Sequence, residues 1–210
     1  MRAVIFDLDG TLIDSDPDIS AALNRVLAAE GLETLSVEEV KRMIGDGAKV
    51  LVQRAFAARG AEADTRHVAA FLADYEANAV VNTVPYAGIP AVLRGLQAAG
   101  HPLAVCTNKP IWAARRVLAA LDLAGYFPVV LGGDSTPWRK PDPRHLAATI
   151  EALGAAPENA VMIGDHENDM LAAGRLGVPG IFVTWGYGLA EAPFVAHAPA
   201  DLPGLIAGMG

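Results

Sequence analysis

The sequence contains one cysteine, Cys106, so it can form no internal disulfide and no cysteine-rich zinc site. Cys106 closes the apolar run Leu103-Ala104-Val105-Cys106. It reads as a buried strand residue rather than a catalytic thiol, because no histidine stands in an obvious partner position. The five histidines, His67, His101, His145, His166 and His197, lack zinc spacing and fit ordinary surface or capping roles. Long apolar runs are also missing. The first one, Val4-Ile5-Phe6, is stopped by Asp7 and Asp9 before it reaches the length of a signal peptide, and no stretch could span a bilayer. The expected location is therefore the cytoplasm, without membrane association. Positive charge is scarce, with 16 Lys and Arg against 24 Asp and Glu, a net charge of -8. That balance removes the usual electrostatic attraction to nucleic acid. An anionic ligand would need a local positive field, from a metal ion or a few placed lysines or arginines. No Gly-x-x-x-x-Gly-Lys-Ser/Thr run exists, which excludes a nucleotide site of the P-loop kind.

What is present suits a folded protein with a sizeable core: 210 residues, 52% of them hydrophobic and 19% charged. Val4-Ile5-Phe6 predicts a short buried strand that runs straight into a loop. Helical patterns follow. One starts at Asp16-Pro17 and stops at Gly31; a second has a capping box of Ser36 and Glu39; a third follows Gly45-Asp46-Gly47; Asp64 caps a fourth. From about residue 84 strands and helices alternate. Strands are expected at 102–107, 129–131, 160–163 and 180–184, with helices over 89–99, 111–121, 143–153 and 168–176. This alternation is that of a parallel sheet covered by helices on both faces, an α/β fold with a helical insert after its first strand. The Ala/Pro/Gly-rich tail from Ala192 carries no distinctive signal.

In an open parallel sheet ligands bind beyond the carboxyl ends of the strands, and four strand ends here carry unusual polar residues. The first is Asp7-Leu8-Asp9-Gly10-Thr11. Residues two apart on an extended chain point to one side, so Asp7 and Asp9 face one small volume. Two carboxylates that close repel unless a cation or a shared proton intervenes, and a hard divalent ion such as magnesium is the natural partner. The second is Thr107-Asn108-Lys109-Pro110, where a hydroxyl and backbone N–H groups at a helix start make an anion site or, alternatively, a simple N-cap. The third, Arg139-Lys140-Pro141-Asp142-Pro143, holds Lys140 between stiff prolines. In the fourth, Gly164-Asp165-His166-Glu167-Asn168-Asp169, the two aspartates meet at a helix start and can complete a metal site or merely cap the helix. Two acid pairs, a hydroxyl and a lysine around one sheet edge are the parts of a metal-assisted phosphoryl-transfer site.

These four motifs, in this order, resemble the haloacid dehalogenase superfamily of phosphatases over the whole chain. The resemblance implies a Rossmann-like doubly wound parallel sheet, residues 1–14 and 84–210, with an inserted helical cap domain, residues 15–83. It implies that Asp7 is the nucleophile, Asp9 the general acid/base, Thr107 a phosphoryl hydrogen-bond donor and Lys140 the neutralising cation. Magnesium would be held by the Asp7 carboxylate, the Asp9 carbonyl and Asp165, with Asp169 as an acidic companion. Asn108 and Gly47 join Thr107 and Lys140 as candidate substrate-binding residues.

Three further runs, Thr107-Asn108-Lys109-Pro110, Ile44-Gly45-Asp46-Gly47-Ala48 and Trp185-Gly186-Tyr187-Gly188, resemble the phosphoglycolate phosphatase branch. His166 departs from the Ser or Thr frequent after the metal-binding aspartate. A small phosphorylated metabolite is the expected partner of a monomer or homodimer, and Arg42, Lys49 and Arg54 are cap cations with two readings, to face its carboxylate or to lie on solvated helix faces. The alternatives are a phosphatase for another metabolite such as a sugar phosphate, a phosphomutase or dehalogenase of the same superfamily, and a phospho-aspartate receiver domain. Asp9 argues against the dehalogenase, because a halide leaving group needs no proton. The helical insert and the length argue against the receiver.

Overall fold

A computed structural model describes residues 1–209. The first strand, β1 (Ala3–Phe6), is followed by the two-residue strand β2 (Ile13–Asp14). Four helices come next: α1 (Asp16–Ala29), α2 (Val37–Lys41), α3 (Ala48–Ala57) and α4 (Thr65–Asn78). After β3 (Val84–Pro85) the chain alternates through α5 (Ile89–Ala98), β4 (Leu103–Cys106), α6 (Ile111–Ala120), β5 (Val129–Leu131) and α7 (Pro143–Ala152). It ends with β6 (Ala160–Gly164), α8 (Glu167–Leu176), β7 (Gly180–Val183), β8 (Phe194–Ala196) and α9 (Leu202–Ala207).

The main sheet has the order β5-β4-β1-β6-β7-β8, and every pairing in it is parallel. The alternation of side chains along β1 shows why helices cover both faces. Val4 and Phe6 belong to a core shared with Leu93 of α5, Val117 of α6 and Leu202 of α9. Ala3 and Ile5 turn the other way, onto Leu146 and Ile150 of α7 and Ala172 of α8. Sequence order reverses at β1, which has β4 on one side and β6 on the other. The crevice beyond these strand ends is the topological switch point.

Local signals set the four-helix block. Ser36 Oγ accepts from the Glu39 N–H at 3.2 Å while Glu39 returns to the Ser36 N–H at 2.7 Å, the expected capping box. Asp64 accepts from the N–H groups of Arg66 and His67 and so starts α4. Leu23, Leu27, Val40, Val52, Phe56 and Phe71 fill the space between the helices.

Two short strands, β2 and β3, pair antiparallel where the block joins the sheet, in the register Ile13↔Pro85 and Asp14↔Val84. Two-residue strands carry no periodicity, and neither was expected. The tail also departs from expectation: it contributes β8 and α9 to the sheet and one of its covers. Three residues of strand and a helix containing Pro203 and Gly204 leave little pattern to read.

The connection at the block is stapled by one carboxylate. Asp18, buried in the first turn of α1, accepts from the N–H groups of Val81, Asn82 and Thr83 at 2.9, 3.0 and 2.9 Å and from the Thr83 hydroxyl at 2.7 Å. Burial pushes its pKa up, but the Thr83 hydroxyl and the three N–H groups outweigh burial and hold it below the ordinary carboxylate value. A carboxyl whose folded pKa is depressed stabilises the fold above its unfolded pKa, and that stability is lost as the pH falls through the folded value. Asp18→Ala should cost about 2–3 kcal/mol at neutral pH, the range for hydrogen bonds to a charged group. The difference from the unaltered protein should shrink below about pH 4. Urea unfolding at pH 7 and pH 3 measures both.

Candidate active site

The residues singled out from the four strand ends converge on the switch point. Asp7 follows β1, Thr107 follows β4, Lys140 lies in the loop before α7, and Asp165 follows β6. Carboxylate oxygens of Asp7, Asp165 and Asp169 all lie within 4.8 Å of one another. Each of the three side chains is buried.

Lys140, also buried, puts its Nζ 2.6 Å from Asp169 Oδ1 and 2.9 Å from Asp7 Oδ1. The bond to Asp169 is well directed. The ammonium contacts Asp7 off the hydrogen-bonding direction, so Asp7 Oδ1 is left buried without a hydrogen bond. Burial alone would lower the pKa of Lys140, but Asp169 and Asp7 outweigh it and raise it. The pKa values of the acids are raised as well. Burial, then the charge of Asp7, pushes Asp165 up to about 6, against the lowering effect of its bonds from Tyr187 N–H and Thr11. Burial also raises Asp169, beyond what Lys140 can offset.

Three carboxylates facing one ammonium leave negative charge uncompensated. An oxygen-only donor set with one buried oxygen lacking a hydrogen bond fits a hard divalent cation. The group can therefore hold a metal ion.

Asp165 is fixed from the far end of the chain. Its Oδ1 accepts from Thr11 at 2.9 Å and its Oδ2 from the Tyr187 N–H at 2.8 Å. The space is tight: Gly10 has φ +82°, and a Cβ there would collide with the Asp165 carboxylate. Tyr187 also links the tail to the helical block. Its hydroxyl accepts from the N–H groups of Ser15 and Asp16 at 2.7 and 3.0 Å and donates to Asp14 at 2.8 Å.

Other residues stand differently from expectation. Asp9 lines the same pocket as Asp7 but has charge partners of its own. Its carboxylate accepts from Lys109 Nζ at 2.9 and 3.1 Å and from the Ser15 hydroxyl at 2.5 Å, and its side chain is not in the acidic group. Lys140 contacts Asp7 and Lys109 bonds Asp9, so each of the two carboxylates has an ammonium beside it. Asn108 lines the pocket, and its side chain also serves as a strut. Its amide donates to the carbonyls of Gly45 and Lys140, both at 2.9 Å, and its Oδ1 accepts from the Lys140 N–H at 3.0 Å. Gly47 has φ +86° and lines the pocket beside Thr107, so its backbone is in place for close approach by a ligand.

The Gly45-Asp46-Gly47 turn docks on the sheet domain, with Asn168 Nδ2 2.7 Å from Asp46 Oδ1. Arg54 pairs with Asp46 at 2.6 Å, Arg42 and Lys49 are exposed, and none of these three cations lines the pocket. His166 caps α8, its Nδ1 accepting from the Asn168 N–H at 3.2 Å.

The pocket lies between the sheet edge and the helices. Asp7, Asp9, Thr107 and Lys109 line it from the sheet, and Ile19, Ile44, Leu51, Phe71, Leu72 and Tyr75 from the helical block. Its volume is about 60 Å³. Lys109 and Tyr75 were not foreseen as site residues. A lone lysine reads as surface charge, and a tyrosine at an apolar helical position reads as core; only the place of Lys109 inside a strand-end motif hinted at more.

The model of the haloacid dehalogenase-like hydrolase family matches residues 4–183. The chain belongs to this family. It is 42% identical to a phosphoglycolate phosphatase of Caulobacter vibrioides, over 95% of this chain and 88% of that protein. It is 38% identical to a phosphoglycolate phosphatase of Aquifex aeolicus, over 96% of this chain and 95% of that protein. The crystal structure of a predicted phosphoglycolate phosphatase from Haemophilus somnus 129pt matches with a TM-score of 0.91 and 30% identity, covering 98% of this chain and 97% of that one.

Lys140→Met should leave Asp7 and Asp169 buried without their counter-charge. The expected loss in chelator at neutral pH is about 3–5 kcal/mol, the usual effect of removing one partner of a buried ion pair, seen as a lower urea midpoint.

Proposed function

We propose that the chain is a magnesium-dependent phosphatase of small phosphate monoesters, acting on 2-phosphoglycolate through an aspartyl-phosphate on Asp7. The observation that carries this reading is the buried group of Asp7, Asp165 and Asp169 around Lys140, at the switch point of a chain related to phosphoglycolate phosphatases. A pocket of about 60 Å³ favours a ligand of few atoms over a nucleotide or a protein.

Magnesium would be held by Asp7 and Asp165, with Asp169 beside them and the Asp9 carbonyl as a further ligand; it would supply charge neutralisation for the phosphate and the nucleophile. Lys140 shares that task at the Asp7 oxygen it touches. An Asp7 oxygen attacks phosphorus as the ester bond breaks, while Asp9 in its acid form gives a proton to the departing alcohol oxygen. Glycolate leaves, and Asp9 is now a carboxylate. It takes a proton from water, which attacks the phosphorus of the aspartyl-phosphate and regenerates Asp7. Thr107 hydrogen-bonds the transferring group, and Gly47 gives its backbone to the ligand. Residues 15–83 act as a cap that keeps bulk water from the intermediate, on a core of residues 1–14 and 84–210.

Purified protein should release phosphate from 2-phosphoglycolate faster than from sugar phosphates, nucleotides or pyrophosphate, and chelator should stop the release. Asp7→Asn should reduce turnover at least about 10⁴-fold with an unchanged circular dichroism spectrum, because the nucleophile acts as part of a unit. Substantial turnover by that variant would remove Asp7 as the nucleophile. Magnesium should raise the melting temperature of the unaltered protein, and Asp165→Asn should abolish the rise.

A further inference from the structure

The reading above leaves one end of the substrate unassigned. A two-carbon acid phosphate carries a carboxylate as well as its phosphoryl group, and a carboxylate entering a mostly apolar pocket needs a donor there. Arg42, Lys49 and Arg54 do not line the pocket. Lys140 touches Asp7 and Asp169 beneath the pocket and is not among its lining residues. The cation among the lining residues is Lys109.

Lys109 is itself buried, which is unusual for a lysine. Burial would pull its pKa down, but Asp9 and then Tyr75 outweigh it and the ammonium is held charged. Its Nζ lies 2.8 Å from the Tyr75 hydroxyl and 4.6 Å from the centre of the Tyr75 ring. Because that hydroxyl accepts from the ammonium, it keeps its own proton to donate. An ammonium from the sheet domain and a hydroxyl from α4 thus stand side by side in the pocket lining, which also includes Ile19, Leu51, Phe71 and Leu72. The same molecule already places one buried ammonium against two carboxylates, since Lys140 hydrogen-bonds Asp169 and forms an ion pair with Asp7.

We propose that Lys109, assisted by the Tyr75 hydroxyl, is the specificity-determining pair that binds the carboxylate of the substrate. The inference rests on the assignment of the chain as a phosphatase for a short phosphorylated acid, and it places the ligand carboxylate opposite Asp9 on the Lys109 ammonium. The apolar remainder of the wall would then reject leaving groups carrying further hydroxyls, which would be left unpaired there.

The test compares kcat/KM of the full chain, with magnesium, on 2-phosphoglycolate and on ethyl phosphate, which keeps the two-carbon leaving group and lacks the carboxylate. The unaltered protein should prefer 2-phosphoglycolate. Lys109→Met should lower that preference at least about tenfold, as expected when a charged hydrogen-bond partner is removed from a desolvated site. Equal losses on both esters would mean that Lys109 serves only to hold Asp9, and would overturn the proposal. Tyr75→Phe keeps the ammonium and should lower the same preference by a smaller factor, mainly through KM. If Lys109→Met does not fold, Tyr75→Phe decides: a reduced preference supports the pair and an unchanged one overturns it. Release from both esters without preference by the unaltered protein would also overturn it while leaving a phosphatase. Release from neither would remove the underlying reading instead.

Discussion

Three carboxylates meet in a buried space at the ends of β1 and β6, and the ammonium of Lys140 makes that meeting tolerable. Taking charges out of water is costly, and an unpaired buried carboxylate would take up a proton or open the structure. The surroundings are built to hold Lys140 in place: the Asn108 side chain bonds both the N–H and the carbonyl of its backbone. Compensation is still incomplete, since three carboxylates share one ammonium, and burial raises the pKa values of Asp165 and Asp169. That residual negative charge makes the group receptive to a divalent cation and explains how a chain of net charge -8 can accept an anionic ligand.

A second lysine governs the other half of the pocket. Lys109 neutralises Asp9 and reaches Tyr75 on α4, so a charge from the sheet domain is completed by a group from the helical block. The same dependence recurs around the pocket. Asn108 bonds the Gly45 carbonyl, Asn168 bonds Asp46, and Tyr187 holds the start of α1. The pocket therefore belongs to neither part alone. Asp18 keeps the two connections of the block together, which limits the directions in which the block can move relative to the sheet.

Much of this was legible in the sequence where a local rule carries a strong signal. The capping box at Ser36, the N-cap at Asp64 and the apolar runs of β1, β4 and β6 are of that kind, because caps and buried strands are set by neighbouring residues. The positions of Asp7, Thr107 and Asp165 at strand ends follow from the same runs, whereas Lys140 lies in the loop before α7 rather than at the end of a strand. Pairings beyond a few residues were not legible. The strand pair of β2 with β3, the partner of Asp9, the struts made by Asn108 and the contact of Lys109 with Tyr75 join residues far apart in the chain, and nothing local marks them.

The sequence by itself determined the alternation of strands and helices, the helical insert and the set of polar residues at the sheet edge, since each rests on spacing along one segment. The tertiary structure decided how the charges are shared. It paired Asp9 with Lys109, put Tyr75 in the pocket, and turned Arg54 toward Asp46 and away from the pocket. The physical reason is that a side chain's charge partner is chosen by packing and burial, which bring together elements whose separation along the chain carries no information about their distance in space.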